Sequence, residues 1–306
     1  MRWLSFRADD RWVPAAVAAD GSVVDLREAA RSAGESAPVD LLELIQRPED
    51  RDRLQSVIRA APSQARRRRE EILLGPPLSR PGKLLCLAGN YREHIVESGF
   101  AAVDEKDVIT PQMFLKPATC LIGDGAEVTL SPANVRVGWE AELAVVIGRR
   151  ARRVRPEAAM DHVFGYTILN DLSERGLNSR LPDRRLRERD PFFDWLAGKW
   201  FDGFAPCGPW IVTADEIPDP HILGIRLSVN GELRQKGSTS DMIFDIPTLM
   251  AEASAIMTLE PGDIIATGTP AGAGIGTGES FLRAGDQVVC EIERIGTLRS
   301  TIGSQA

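Results

Sequence analysis

Histidine and cysteine are scarce in this chain of 306 residues, with three of the first and four of the second. Cys86, Cys120, Cys207 and Cys290 stand far apart with no paired spacing. That argues against a disulfide framework, and the apolar neighbours of three of them read as buried free thiols in a reducing compartment. No group of histidines and cysteines has the spacing of a zinc site. No run reaches the ~18 consecutive apolar residues of a membrane span, and Met1 to Asp10 lacks the apolar core of a signal peptide. A soluble, cytoplasmic protein is expected. Positive charge is also in deficit. The net charge of −7 gives no global attraction for nucleic acid or an anionic membrane, so the expected partner is a small metabolite. Hydrophobic residues at 43% and charged residues at 26% suffice for a sizeable core. Internal repeats and low-complexity tracts are absent.

What the chain does have is carboxylates in a telling pattern. Trp139-Glu140-Ala141-Glu142 runs straight into Leu143-Ala144-Val145-Val146-Ile147. A strand has period two, so both glutamates point to one face of a segment whose apolar tail belongs in a core. Two like charges packed there are costly unless a cation neutralises them. An edge strand with a solvated acidic face also fits that pair. Asp171 adds a third carboxylate, at the end of a second β-type run, Gly165 to Ser173. Asp after Asn is commonly a turn or cap residue. Three oxygen ligands from two neighbouring strands, with positions left for water and substrate, suit Mg²⁺ or Mn²⁺ better than zinc.

The chain opens with a hairpin whose arms, Trp12 to Ala18 and Ser22 to Leu26, flank an Asp20-Gly21 turn. Helical spacing from Asp40 to Arg69 ends in Arg66-Arg67-Arg68-Arg69, read as a solvated helix end. The stretch Gly75 to Gly82 carries three prolines and reads as a linker, dividing a small N-terminal domain (1–75) from a main domain (76–306). The main domain is strand-rich: Lys83 to Ala88, Gln112 to Leu115, Glu127 to Leu130, Glu142 to Ile147, Phe164 to Leu169, Trp210 to Thr213, and a hairpin around Asn230-Gly231. A helix is expected from Ile246 to Met257, and a glycine-rich loop from Gly268 to Gly278 lies between the late strands. The fold class is α+β, built on a mixed sheet rather than on alternating βαβ units.

Among the histidines, His94 has a partner pattern. On a helical turn His94 and Glu97 are i and i+3, so the carboxylate can orient the imidazole as a general base that activates water. An incidental surface pair is the alternative. His162 and His221 show no partner pattern and read as structural.

These segments together resemble the fumarylacetoacetate hydrolase family, in its shorter branch of acylpyruvases and oxaloacetate decarboxylases. The resemblance runs from about Lys83 to Ile302. It is carried by Asn90-Tyr91-x-x-His94, Phe114-Leu115-Lys116-Pro117, Glu140-x-Glu142, Asn170-Asp171-x-Ser173-x-Arg175, Gly198-Lys199, Cys207-Gly208-Pro209-Trp210, Ser240 to Phe244 and Gly262 to Pro270. It implies a mixed sheet rolled into a partly open barrel, with a small N-terminal hairpin and helix domain. It also implies that Glu140, Glu142 and Asp171 bind Mg²⁺ or Mn²⁺ while His94 and Glu97 sit on a lid above. Lys199 would serve as a catalytic cation, Tyr91, Arg175, Asn178 and Thr269 as substrate contacts, and the protein as a homodimer. Where the family commonly reads Ser-x-Arg-Asp-Leu-Gln, this chain has Ser173-Glu174-Arg175-Gly176-Leu177-Asn178, and the arginine-rich stretch from Ser179 to Trp195 is longer than expected. Substrate choice is therefore expected to differ.

The implied reaction is metal-dependent C–C bond hydrolysis of a 2,4-dioxo acid with release of pyruvate. Decarboxylation of an oxaloacetate-type acid and isomerisation or hydration of a 2-hydroxydienoate use the same 2-oxo acid site. A family member that binds a metabolite without turnover is the alternative of another class.

Overall fold

A computed structural model describes residues 1–101, 106, 108–132, 134, 136–177, 183–274 and 281–304. Strands β1 (Arg2–Ala8), β2 (Arg11–Val17), β3 (Val23–Asp25) and β4 (Arg66–Arg67) come first, with helices α1 (Leu26–Ser32), α2 (Leu41–Gln46) and α3 (Arg51–Arg59) between the last two strands. After them come β5 (Leu84–Ala88), helix α4 (Arg92–Glu97), β6 (Gln112–Lys116), β7 (Leu121–Ile122), β8 (Glu127–Leu130), β9 (Val137–Gly138) and β10 (Ala141–Ile147). Helix α5 (Pro156–Ala159), β11 (Val163–Asn170), β12 (Ser173–Glu174), helix α6 (Asp190–Ala197) and β13 (Ala205–Thr213) follow. The chain closes with β14 (Gly224–Val229), β15 (Glu232–Ser238), helix α7 (Ile246–Ile256), β16 (Ile264–Ala266), β17 (Gln287–Ile292) and β18 (Gly296–Ser304).

The long sheet runs β4-β3-β2-β1-β13-β11-β10-β16-β5-β6, with β7 alongside β13. A smaller sheet runs β15-β14-β17-β18-β8. The two ends of the long sheet, β4 and β6, do not pair, so the described strands close no barrel. The opening strands are continuous with the rest, because β1 pairs antiparallel with β13 at Arg2↔Val212 and Trp3↔Ile211.

Strand β10 is buried along its whole length, and alternation explains its unbroken apolar run. Ala144 and Val146 pack with Leu26, Leu44, Leu54 and Ile58 of the N-terminal helices, in one core. Leu143, Val145 and Ile147 pack instead with Leu227, Val288, Cys290 and Leu249, in the core between the sheets and under α7. Both faces of this strand are therefore covered, which is why polar residues do not alternate in it. At a hydrophobic contribution of ~25 cal/mol per Å² of apolar area, a strand buried on both faces stabilises the fold about twice as much as one buried on a single face.

Local signals account for the turns. Asn230 and Gly231 both have positive φ, 53° and 80°, as a two-residue hairpin turn between β14 and β15 requires. The expected helix over 40–69 divides at Pro48, after which α3 begins at Arg51. The reading of Arg66 to Arg69 as a helix end is corrected. Arg66 and Arg67 form the edge strand β4 on β3, with Arg66 ion-paired to Asp20 and Arg68 to Glu71. All four cysteines are buried and free.

Candidate metal and substrate site

Glu140, Glu142 and Asp171 converge, with one carboxylate oxygen from each lying within 4.8 Å of the others. The convergence follows from strand register. β10 pairs antiparallel with β11, Ala141 opposite Asn170 and Glu142 opposite Leu169, and the Asp171 amide donates to the Glu140 carbonyl at 2.8 Å. The edge-strand alternative is excluded, since β10 lies between β11 and β16 and Glu142 and Asp171 are both 0% exposed.

Three cations pair with two of the three carboxylates, Glu140 and Asp171. The Lys199 ammonium donates to Glu140 Oε2 and Asp171 Oδ2, both at 2.8 Å, while the Lys116 ammonium donates to Asp171 Oδ1 at 2.5 Å and to the Leu172 carbonyl at 3.1 Å. The Arg175 guanidinium pairs with Glu140 Oε1. Lys199 is 2% exposed and lies over the Phe114 and Trp195 rings, at 5.3 and 5.9 Å, so it is no surface lysine.

The carboxyls are driven apart in acidity. Burial pushes the Glu140 carboxyl up, but Lys199, Arg175 and His94 outweigh it and hold the group down to about 2. Glu142 goes the other way. Burial, then the charges of Asp171 and Glu140, push it well above the usual carboxylate range, and Lys199 and the Gly268 amide offset this only in part. For Lys199, burial favours loss of the proton, but Asp171 and Glu140 prevail and hold its pKa above the ordinary lysine value.

His94 and Glu97 lie on the short helix α4 as the spacing predicts, with His94 Nδ1 3.5 Å from Glu97 Oε2. Glu97 Oε2 also accepts the Gly272 and Ala273 amides, at 2.9 and 3.4 Å, which ties α4 to the glycine-rich loop. These bonds and His94 outweigh burial and lower the Glu97 pKa. The charge of His94 is felt at Glu140, so helix and carboxylates share one electrostatic site.

Tyr91 is buried, and its hydroxyl ionises less readily than usual because of burial and the charges of Glu142 and Asp241. The Thr269 hydroxyl donates to the Ala141 carbonyl at 2.9 Å and accepts from Gln235 Nε2 at 2.8 Å, so it is engaged within the protein. Asn178 lies outside the described residues. Ser173, Arg175, Leu177, Pro191, Asp194 and Trp195 line a cavity beside the cluster, and within the arginine-rich stretch Arg184 pairs with Asp190 and Asp194. His162 and His221 stay apart from the site. The first lies near the Arg149 carbonyl, and the second accepts the Ile246 amide at the start of α7.

The sequence reading assigned no role to Lys116, Asn170, Asn90 or Gln235. Asn170 accepts the Glu140 amide at 3.0 Å, and Asn90 joins the Phe244 and Thr267 backbones. Each stood inside or near a motif, but their partners lie 30 or more residues away, beyond the reach of local pattern.

The donor set suits a divalent cation. All three ligands are hard carboxylate oxygens. Four buried polar atoms here have no protein partner among the described residues: Tyr91 Oη, Glu142 Oε1, Asn170 Nδ2 and Arg175 Nε. Buried polar atoms without partners are rare in folded proteins, and their concentration here points to a ligand.

A buried carboxylate triad beside two lysines and an arginine, sharing one electrostatic site with a histidine–glutamate pair, offers a donor set that a divalent cation fits. The family follows. Residues 83–303 match the model of the fumarylacetoacetate (FAA) hydrolase C-terminal domain, and the chain belongs to the fumarylacetoacetate hydrolase family. It is 40% identical over 235 residues to the mitochondrial oxaloacetate tautomerase fahd2 of Xenopus laevis, covering 76% of this chain and 69% of that one. It is 44% identical over 238 residues to the oxaloacetate tautomerase YisK of Bacillus subtilis, covering 76% and 74%. Among solved structures, the maleylpyruvate hydrolase of Sphingobium sp. SYK-6, in complex with manganese(II) and pyruvate, superposes with a TM-score of 0.78 at 31% identity, covering 100% of both chains. No helix among the described residues is long and apolar enough to cross a membrane.

Proposed function

We propose that this protein is a divalent-metal-dependent enzyme of 2-oxo acid enol chemistry, and that it interconverts the keto and enol forms of a short dicarboxylic 2-oxo acid such as oxaloacetate. The observation that carries the reading is the triad Glu140, Glu142 and Asp171 with its unpartnered Glu142 oxygen. The choice of reaction is supported by the two tautomerases at 40 and 44% identity.

Glu140, Glu142 and Asp171 would hold Mg²⁺ or Mn²⁺, which when bound supplies Lewis acidity toward the carboxylate and 2-oxo oxygens of the substrate. The remaining steps belong to the chain. His94 faces Glu97 through Nδ1, which leaves Nε2 free to take the proton from C3 of the acid. Glu97 holds the imidazole and stabilises its charge. As the C3 proton leaves, the C2–C3 double bond forms and the carbonyl electron pair moves to the 2-oxo oxygen. Lys199 and Arg175 stabilise the negative charge that develops there. Protonation of that oxygen completes the enol, and the reverse sequence restores the ketone.

A second reading, hydrolysis of a 2,4-dioxo acid to pyruvate and a carboxylic acid, is favoured by the same His94–Glu97 pair, which is equally suited to deprotonating a water. The test offers oxaloacetate and acetylpyruvate in parallel with Mn²⁺. Loss of the oxaloacetate enol absorbance and coupled detection of pyruvate separate the two reactions. Turnover should fall by about 10²-fold or more in His94→Ala with Mn²⁺ binding retained. No turnover of either acid by metal-loaded protein would refute the enzymatic reading. We also propose a homodimer, which a monomeric mass by light scattering would refute.

A further inference from the structure

Strand β16 accompanies β10 only from Ala144 to Val146. Ala141, between the carboxylates Glu140 and Glu142, lies beyond that pairing, and side chains take up its backbone groups. Its amide donates to Gln235 Oε1 at 2.9 Å, and its carbonyl accepts the Thr269 hydroxyl at 2.9 Å. Gln235 Nε2 donates to Thr269 Oγ1 at 2.8 Å and closes the ring. Its other hydrogen goes to the Pro270 carbonyl at 2.8 Å. The amide orientation is dictated by its partners, since a backbone N–H needs an acceptor and a backbone carbonyl needs a donor.

The ring is held from outside. A Cβ on Gly237 would meet Pro270 Cβ at 2.5 Å, and one on Gly272 would meet the Arg234 carbonyl oxygen at 2.0 Å. β15 and the glycine-rich loop are thus in near-backbone contact, and Gln235, 0% exposed, has no room to move.

We propose that Gln235 is a positioning residue for the metal centre. With Thr269 it fixes the peptide planes on either side of Ala141, and so the directions in which Glu140 and Glu142 leave the strand. This role rests on the reading of the triad as a divalent-cation site. Residues that orient metal ligands typically cost 10–100-fold in metal affinity when removed.

The test is a calorimetric Mn²⁺ titration of metal-free wild type, Gln235→Leu, Thr269→Val and Thr269→Ser, with Glu142→Ala as the ligand control and circular dichroism of each variant. Gln235→Leu and Thr269→Val should bind Mn²⁺ roughly 10–100-fold more weakly while keeping the wild-type spectrum, and Thr269→Ser, which keeps the hydroxyl, should stay within about threefold. If Gln235→Leu fails to fold, the Thr269→Val and Thr269→Ser pair decides. Folded variants that bind as tightly as wild type, with only their melting temperature lowered, would overturn the positioning role and leave the metal reading standing. Wild-type protein that takes up no Mn²⁺ would overturn both.

Discussion

Replacing Glu142 by glutamine should make the metal-free protein more stable and the metal-loaded protein less so. Each carboxylate pair in the cluster lies within 4.8 Å, and at an effective dielectric constant of 20 one like-charge pair at that distance repels by about 3.5 kcal/mol. Burial, then the charges of Asp171 and Glu140, disfavour the charged form of Glu142, and Lys199 offsets this only in part. The folded-state pKa of Glu142 is raised, so the folded protein holds this proton more tightly than the unfolded chain. Its contribution to stability is present below the unfolded value of about 4.5 and is lost as pH rises toward the folded value. Glutamine has no such dependence, and its oxygen can keep the bond from the Gly268 amide, 2.8 Å in the wild type. In EDTA the two proteins should melt together near pH 5, and the variant should melt higher by pH 8, by about 1.6 °C for each kcal/mol of repulsion relieved in a chain of this length. With Mn²⁺ the order should reverse, because only the wild type gains binding free energy. Differential scanning calorimetry across pH, with and without metal, reads both effects. A metal-free variant that melts below wild type at pH 8 would refute the electrostatic reasoning.

Two further substitutions probe the surroundings. Lys199→Met leaves Glu140 and Asp171 without their shared cation, and breaking a buried ion pair costs about 3–5 kcal/mol, or a fall of roughly 5–8 °C in melting temperature. A change under about 2 °C would show that Lys116 and Arg175 neutralise the site alone. Gly272→Ala combines a φ of +94° with a Cβ 2.0 Å from the Arg234 carbonyl oxygen, so it should destabilise by 3 kcal/mol or more. A wild-type melting curve for that variant would refute the close approach of β15 to the loop.

The triad and the His94–Glu97 pair were legible because periodicity carries them. Alternation along one strand aligns Glu140 with Glu142, and helical spacing aligns His94 with Glu97. The short strands and the α+β class were legible for the same reason. Lys116, Gln235 and Asn90 were not, because each acts on residues 34 to 177 positions away. Strand β1 escaped notice because its turn to β2 is Asp9-Asp10, two residues at positive φ without the glycine that marks the strongest hairpin turns. The arginine run misled because helix and edge strand expose a charged stretch equally well. Its pairing with β3 depends on a turn of chain that brings residues 66–67 back to residues 23–24.

The equal number of cationic and carboxylate side chains at the site has a thermodynamic consequence. With Lys116, Lys199 and Arg175 set against Glu140, Glu142 and Asp171, the cluster is electroneutral once Glu142 gives up its proton. On the proposed reading, a divalent ion would leave an excess of two positive charges there, and a dicarboxylate such as oxaloacetate is an anion that would restore balance. Metal and substrate bound in this way reinforce each other, each raising the affinity for the other by the same factor. On the proposed reading, the metal would be held more tightly with substrate present than without it, the substrate serving as its counterion.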